Sequence, residues 1–600
     1  MLPAVLMPVI LIVISFARAD GVDYRYSIEG IDDNGLRPAL VASSVLEQLK
    51  DQPPQSLSAL RRRTLGDIEN FENVMRSRGY FDPHISYEID DRQSPAVINI
   101  RINPGDLYRI SDYGVTWQGI DDSAAFDRLI ARAQERGVIT LPRDEAVSPD
   151  MLNEASRGIM AVLMQHGYAF PRIEARRMEI DHDTRQAAVF LDVNPGPKTV
   201  FGPAQVTGLE NVVPRYVMRR LDWEEGQEFD VRRVPRTRQR LAQSRIFAGV
   251  DIRYDISEAT LSDDGETLEV PMNIQIVEAR HRSIGAGLFY STSTGLYSQL
   301  FWEHRNLFGG AERLHIGADL GLERYGLAAD FTKPDLFGDI AFSFQSGAKY
   351  LYEELEAYDR TTINASAGVN YQLTRRIGLF GGVGLERTEI EQPGRAKEIF
   401  ALVSTPLSAK YDSTDDLLDP RRGMRLSAGV TPYQSVNDPL RFYQIDTRGT
   451  HYWPVLGDRL IWANRARMAS VRGADLADIP ADKRLYAGGG GSVRGYGYQI
   501  LGPLDKDQNP TGGQFLVEMG TELRYRVTET IGVAGFAEGG RLTENIRATG
   551  GGEPFRWSLG IGGRYHTVAG PVRVDIAVPM SRRQGVDDRF QFYISLGQAF

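Results

Sequence analysis

The stretch Leu485–Pro503, LYAGGGGSVRGYGYQILGP, sets one arginine, Arg494, among glycines and aromatic side chains. A guanidinium is always charged, and its planar fork can meet a carboxylate through two parallel hydrogen bonds. Four consecutive glycines, Gly488–Gly491, open backbone conformations closed to other residues, so the segment can fold back on itself. A carboxylate stands in a second glycine-rich stretch, Phe536-Ala537-Glu538-Gly539-Gly540. Nucleophilic chemistry has poorer support. Ser492 lacks a Gly-x-Ser-x-Gly setting, because Arg494 takes the place of the last glycine. Of eight histidines, His451 and His566 could reach an interior but stand in no triad pattern. Gly196-Pro197-Lys198-Thr199 imitates a phosphate loop, yet Pro197 interrupts the Gly-Lys-Thr order and no upstream glycine is correctly spaced. It reads as an inter-domain turn. No catalytic residue, cofactor or metal is expected.

The elements around these residues differ along the chain of 600 residues, which is long enough for several domains. A net charge of −10 argues against a nucleic-acid partner. The absence of cysteine suits export. Leu2–Phe16 is almost wholly apolar, and Ala17-Arg18-Ala19 offers a small-x-small cleavage pattern, so 1–19 is expected to be a signal peptide. No later apolar run approaches the roughly 20 residues of a spanning helix, so entry into a membrane would require a closed β-barrel.

Tyr24 to Val277 repeats one plan three times: a strand, two helices, then two strands. Helical stretches Ile68–Arg78 and Leu152–His166 stop at Gly79 and Gly167, followed by Tyr80-Phe81-Asp82-Pro83 and Tyr168-Ala169-Phe170-Pro171. The first two units close alike, at Asn103-Pro104-Gly105 and Asn194-Pro195-Gly196. The boundaries expected are 20–105, 106–198 and 199–280.

After Arg282 helical periodicity ends, and segments of about ten residues alternate apolar with polar or small, the mark of transmembrane strands. Val572, Val574, Ile576, Val578 and Met580 share a face, with Arg573 and Asp575 opposite. Phe590, Phe592, Ile594, Leu596 and Phe600 share another, ending the chain on phenylalanine. Strand starts near 283, 296, 312, 326, 338, 361, 376, 397, 422, 441, 457, 514, 530, 555, 571 and 590 predict a 16-stranded antiparallel barrel over 281–600. The connection 471–513 holds the opening stretch, and a loop this long is usually functional.

The βααββ units with their Gly-Tyr turn resemble POTRA domains. Together with the barrel, and with Val493-Arg494-Gly495-Tyr496 in its sixth outer loop, they resemble the POTRA-containing outer-membrane assembly superfamily that includes BamA, TamA and the two-partner secretion transporters. Phe536-x-Glu538-x-Gly540 is similar to that superfamily's Phe-x-Asp-x-Gly, with glutamate for aspartate. Asp412–Asp416 with Asp419–Gly423, and Gly570-Pro571-Val572-Arg573, extend the likeness. Three POTRA-like units and sixteen strands fit the TamA-like members best, since BamA-like proteins carry five and secretion transporters two.

The resemblance implies that the loop arginine enters the barrel and pairs with Glu538. It also implies a TamB-like inner-membrane-anchored partner for the periplasmic POTRA domains, a bacterial outer-membrane location in contact with lipid, and unfolded outer-membrane proteins as substrates, autotransporters among them. These would insert at a seam between the first and last strands. Gly285 and Gly287 would weaken that seam, because glycine packs no side chain across a ladder. A polypeptide-secreting pore, a BamA-like general insertase and an outer-membrane hydrolase using Ser492 are the alternatives.

Overall fold

The computed structural model describes residues 21–31, 35–120, 122–262, 265–291, 295–545, 553–567 and 570–596. The expected signal peptide, 1–19, lies outside them, as do Phe600 and the Leu596 side chain. The chain divides into two compact units. Of the described residues, one holds those up to Gln205 with Asp222–Arg236 and Arg253–Asn273; the other holds Val206–Leu221, Thr237–Ile252 and those from Ile274 onward.

In the first repeat, Ser56 caps the helix Leu57–Ser77, its side chain accepting from the Ala59 N–H. The helix buries Leu60, Thr64, Phe71 and Met75 along one stripe. The chain then reverses at Gly79, whose φ of +90° is open to glycine at no steric cost. Pro149–Met164 in the second repeat starts on proline, buries Leu152, Ala155, Ile159 and Val162, and is followed by Gly167 at φ +83°. The first repeat carries three helices, Leu36–Ser43, Val45–Gln48 and Leu57–Ser77, where two are expected, and in both repeats the helices cover a three-stranded sheet. Tyr24–Glu29 runs parallel to Ala96–Asn103, which pairs antiparallel with His84–Asp90. Arg109–Trp117, Gln186–Asn194 and Arg172–Asp181 repeat that order. The closing turns match in detail: the Asn103 and Asn194 side chains accept from the Gly105 and Gly196 N–H groups. A third sheet, ordered Thr199–Thr207, Leu268–Glu278, Phe247–Arg253, follows the same pattern with a two-residue strand at 260–261 added. Thr199 opens its first strand, buried, and Lys198 makes an exposed pair with Glu228 at 3.6 Å. The turn reading of Gly196–Thr199 agrees with that placement.

From Arg282–Ser291 to Gln591–Leu596 a single antiparallel sheet runs strictly in chain order. Among the described residues it contains seventeen strand segments, where sixteen strands are expected. The extra one has a local cause. Glu398–Ser404 and Leu407–Asp412 pair with the same two neighbours in one unbroken register: Gly384 and Tyr433 lie opposite Ser404, while Gly381 and Val430 lie opposite Leu407. Thr405-Pro406 interrupts the hydrogen bonding there because proline has no N–H to donate. The largest departure of an expected start is at 338, where the strand begins at Phe342.

The sheet is apolar outside and polar inside. Along Phe515–Arg526, Glu518, Glu522 and Arg524 are buried, while Met519, Leu523 and Tyr525 are 40–51% exposed. Water would not favour that arrangement; a hydrocarbon surround does. Cα atoms of Arg282–Ser291 and Gln591–Leu596 approach within 8 Å. Among the described residues no ladder pairing joins these two strands. On the first of them, Gly285 faces Phe301 across the ladder, and a Cβ at Gly285 would stand 2.3 Å from that ring. The aromatic side chain therefore occupies the room the glycine leaves.

Candidate functional site: an arginine docked inside the sheet

The connection between Leu460–Arg472 and Phe515–Arg526 folds into the sheet's interior. Val493, Tyr496, Leu485 and Leu501 are buried there with Phe442, Leu516 and Leu542 of the wall. Arg484 braces the loop from within, donating to the carbonyls of Ile479, Ala477 and Thr511. Immediately before Arg484 in the chain, Asp482 has no exposed side-chain surface and receives Arg360 at 3.4 Å, while Lys483 contacts Glu386. Of the four glycines only Gly488 and Gly489 take positive φ. A Cβ at Gly488 would meet the Gly497 carbonyl oxygen at 2.3 Å, so the fold-back depends on that position.

Arg494 is fully buried. Its Nε and Nη2 donate to Glu538 at 3.1 and 2.8 Å, and its backbone N–H donates to the same carboxylate at 2.8 Å. Nη2 also reaches Glu522 at 2.9 Å, and Nη1 reaches Asp575 at 2.8 Å. The guanidinium carbon stands 3.4 Å from the Phe536 ring centroid. The longer glutamate side chain therefore still permits a fork-to-carboxylate pair. Phe536, Glu538 and Gly540 alternate along one strand and share its inner face. Each meets one part of the loop motif: ring to guanidinium, carboxylate to guanidinium, and Gly540 to Val493, whose Cγ2 would lie 3.0 Å from an added Cβ. Gly495, at φ +101°, passes so close to the wall that a Cβ would stand 2.8 Å from Ser558. The Tyr496 hydroxyl donates to the Trp557 carbonyl at 3.0 Å.

Sequence reasoning named one acid and missed the others. Glu522 and Asp575 complete a three-carboxylate nest. Around it stand Arg465 on Glu538 (3.1 Å), Arg524 on Glu522 (2.8 Å), Arg564 on both Glu522 and Asp575, and Arg573 near Asp575 (3.5 Å). Alternation places Arg573 and Asp575 on the wet face, but cannot say which strand opposite supplies their partners. Also missed is Tyr593 of the last strand. Its hydroxyl accepts from the Gly495 N–H at 3.3 Å and donates to the Tyr496 carbonyl at 3.2 Å. Arg573 donates to Ser595 of that strand and to the Gly490 carbonyl. The loop motif is thus bonded to one border of the seam. Phe590, Phe592 and Ile594 of that region are 38–60% exposed on the outer face.

Among the described residues, no histidine stands beside Ser492. Ser492 contacts Glu518 and accepts from the Gly488 N–H, whereas His566 neighbours Asp419 and Arg526. A guanidinium held by three carboxylates has no lone pair with which to attack a substrate or ligate a metal. What the arrangement can do is hold a loop in one place.

Residues 306–600 match the Omp85 superfamily domain. The outer membrane protein assembly factor BamA of Nitratidesulfovibrio vulgaris is 21% identical over 564 residues, covering 87% of this chain and 66% of its own length. BamA of Neisseria meningitidis serogroup B is 20% identical over 596 residues, covering 89% and 72%. The chain thus spans about two thirds of the length of these relatives. The crystal structure of BamA from Haemophilus ducreyi lacking POTRA domains 1–3 superposes with a TM-score of 0.68 at 17% identity, over 81% of this chain and 99% of that one. That likeness is one of fold.

Proposed function

We propose that this protein, whose residues 306–600 carry an Omp85 superfamily domain, is an outer-membrane β-barrel assembly factor of the TamA type. In this reading 20–105, 106–198 and 199–280 are three periplasmic POTRA domains, and 281–600 is a 16-stranded barrel. The observation that carries the proposal is the docked inner loop: Arg494 is locked to the wall while Tyr593 and Arg573 tie the same loop to the last strand, which among the described residues has no ladder pairing with the first. A strand edge with unpaired N–H and C=O groups is a template for an incoming strand. Substrates, including autotransporters and other unfolded outer-membrane proteins, would pair there and leave sideways into lipid. BamA-like general insertion rests on the same features and fits about equally well. A secretion pore would instead need the loop to vacate the interior.

A TamB-like inner-membrane-anchored partner would engage the POTRA domains. The outer strand of the second sheet, Arg172–Asp181, has its free edge and most of its side chains exposed. Co-purification from membranes tests the partner; recovery of the chain with no TamB-like protein under gentle solubilisation counts against it.

The chain has no cysteine, so one cysteine in Arg282–Ser291 and one in Gln591–Leu596 can be joined without competing thiols. In reconstituted vesicles the oxidised form should lose insertion of a barrel substrate and regain it on reduction. Full activity of the stapled protein would falsify lateral insertion.

A further inference from the structure

A hollow of about 850 Å³ lies on the wall where Glu398–Ser404, Gly423–Ser435 and Arg441–Leu456 adjoin. Its lining includes Val403, Val430, Pro432, Val436, Tyr443 and Arg441. Strand alternation puts these side chains on the outer face. Leu407 and Leu426, which share the parity of Val403 and Val430, are 56% and 48% exposed, and Tyr443 itself is 37% exposed. Two prolines stand beside the hollow: Thr405-Pro406 separates two strand segments, and Pro432, whose carbonyl accepts from the Thr405 N–H, lies opposite Tyr443 in an unbroken register.

The charge at its upper border is unlike the rest of that wall. Arg441 is the first residue of its strand and Arg472 the last of the next, so both stand at the end of the sheet where the docked loop begins. Arg472 lies directly opposite Tyr443, on the same face. Its only side-chain bond among the described residues goes to Ser470 at 3.2 Å. Two exposed guanidinium groups above an apolar hollow match a molecule with a phosphate head and hydrocarbon chains: phosphate takes the planar donors, while acyl chains fill the hollow. Soluble anions would have no use for the apolar part, and an apolar chain alone no use for the arginines. Carboxylates limit the charge offered. Glu398, Asp438, Asp475 and Asp478 all line the adjoining hollow together with Arg441, outside the apolar hollow itself.

Resting on the membrane-spanning reading above, we infer that this hollow is a binding site for a phosphorylated, acylated lipid of the leaflet at the loop end of the barrel. It would fasten the barrel wall to lipid at a place well away from the seam in strand order.

The test uses the full chain in mixed vesicles, with native mass spectrometry of lipids retained after extraction. The probes are lipid A, which carries phosphate and acyl chains, and a diacylglycerol, which lacks phosphate. Lipid A should be retained and diacylglycerol lost. Arg441→Gln and Arg472→Gln should each lower lipid A retention roughly fivefold. Val430→Trp, which fills the hollow yet keeps an apolar exterior, should lower it as well, and Asp438→Asn should raise it. Chains that insert but retain lipid A equally in all variants overturn the site alone. Failure to co-float with vesicles overturns the membrane reading, and the site with it.

Discussion

Removing the Arg494 guanidinium leaves Glu538, Glu522 and Asp575 facing one another in a space with no exposed side-chain surface to speak of. Breaking a buried ion pair by deleting one partner costs about 3–5 kcal/mol. Arg465, Arg524, Arg564 and Arg573 remain to hold the acids, so Arg494→Ala should fall at the lower end, about 3 kcal/mol. Arg494→Lys should do little better, because an ammonium is a point charge and cannot span three carboxylates. Glu538→Ala should be milder, since two acids still hold the arginine. Limited proteolysis of 473–514 reads all three; cleavage patterns equal to wild type would remove the lock. Glu278 offers a separate test by pH. Burial raises its pKa, but the N–H groups of Glu210, Asn211 and Val212 and the His281 ring overcome this and hold it near 2. A pKa lowered in the folded state contributes stability that is full above the ordinary 4.5 and is lost as pH falls toward 2. The 208–213 segment should therefore exchange amide hydrogens faster below pH 4, an effect absent in Glu278→Gln.

Among elements, the short helix Pro214–Met218 and its flanks behave as part of the sheet unit. Arg220 stacks 3.4 Å over the Tyr216 ring and makes two 2.8 Å bonds to Asp335 in the 334–341 connection. The Asn306 side chain donates to the Asn211 carbonyl, and the Val213 N–H donates to Gly309. Two turns of the sheet thus grip one segment, and both members of the ion pair are about nine-tenths buried. Arg220→Ala should release Val206–Leu221, with loss of amide protection there worth about 3 kcal/mol. Unchanged exchange in that segment would mean that packing alone holds it. The elements themselves follow from local rules, which is why their starts were readable. Helix caps, the glycine stops at 79 and 167, and the paired Asn-Pro-Gly turns act within a few residues. Thr405-Pro406 was harder to read, because a missing donor interrupts the bonding without shifting the register.

At the scale of the molecule, the sheet turns an apolar face outward and fills its inside with a charged, docked loop. The loop should act as a plug. Single-channel conductance of the intact barrel should be low, and replacing residues 476–510 by a short glycine linker should raise it several-fold. If removal leaves conductance unchanged, the loop does not block the interior, and a polypeptide pore becomes the better reading.

Alternation, turn chemistry and composition by themselves determined the strand-helix-strand order of the N-terminal repeats, the outward and inward faces of the strands, and the place of Arg494 in a long glycine-rich connection. Each depends on residues within one or two turns or on the two-residue period of a strand. Only the tertiary structure decided that Arg494 meets Glu522 and Asp575 as well as Glu538, and that Tyr593 and Arg573 bind the loop to the last strand. A strand's period tells which face a side chain takes. Which residues meet across the interior depends on the register of every intervening strand pair and on where the loop comes to rest, and those accumulate over the sequence separation of 81 from Arg494 to Asp575.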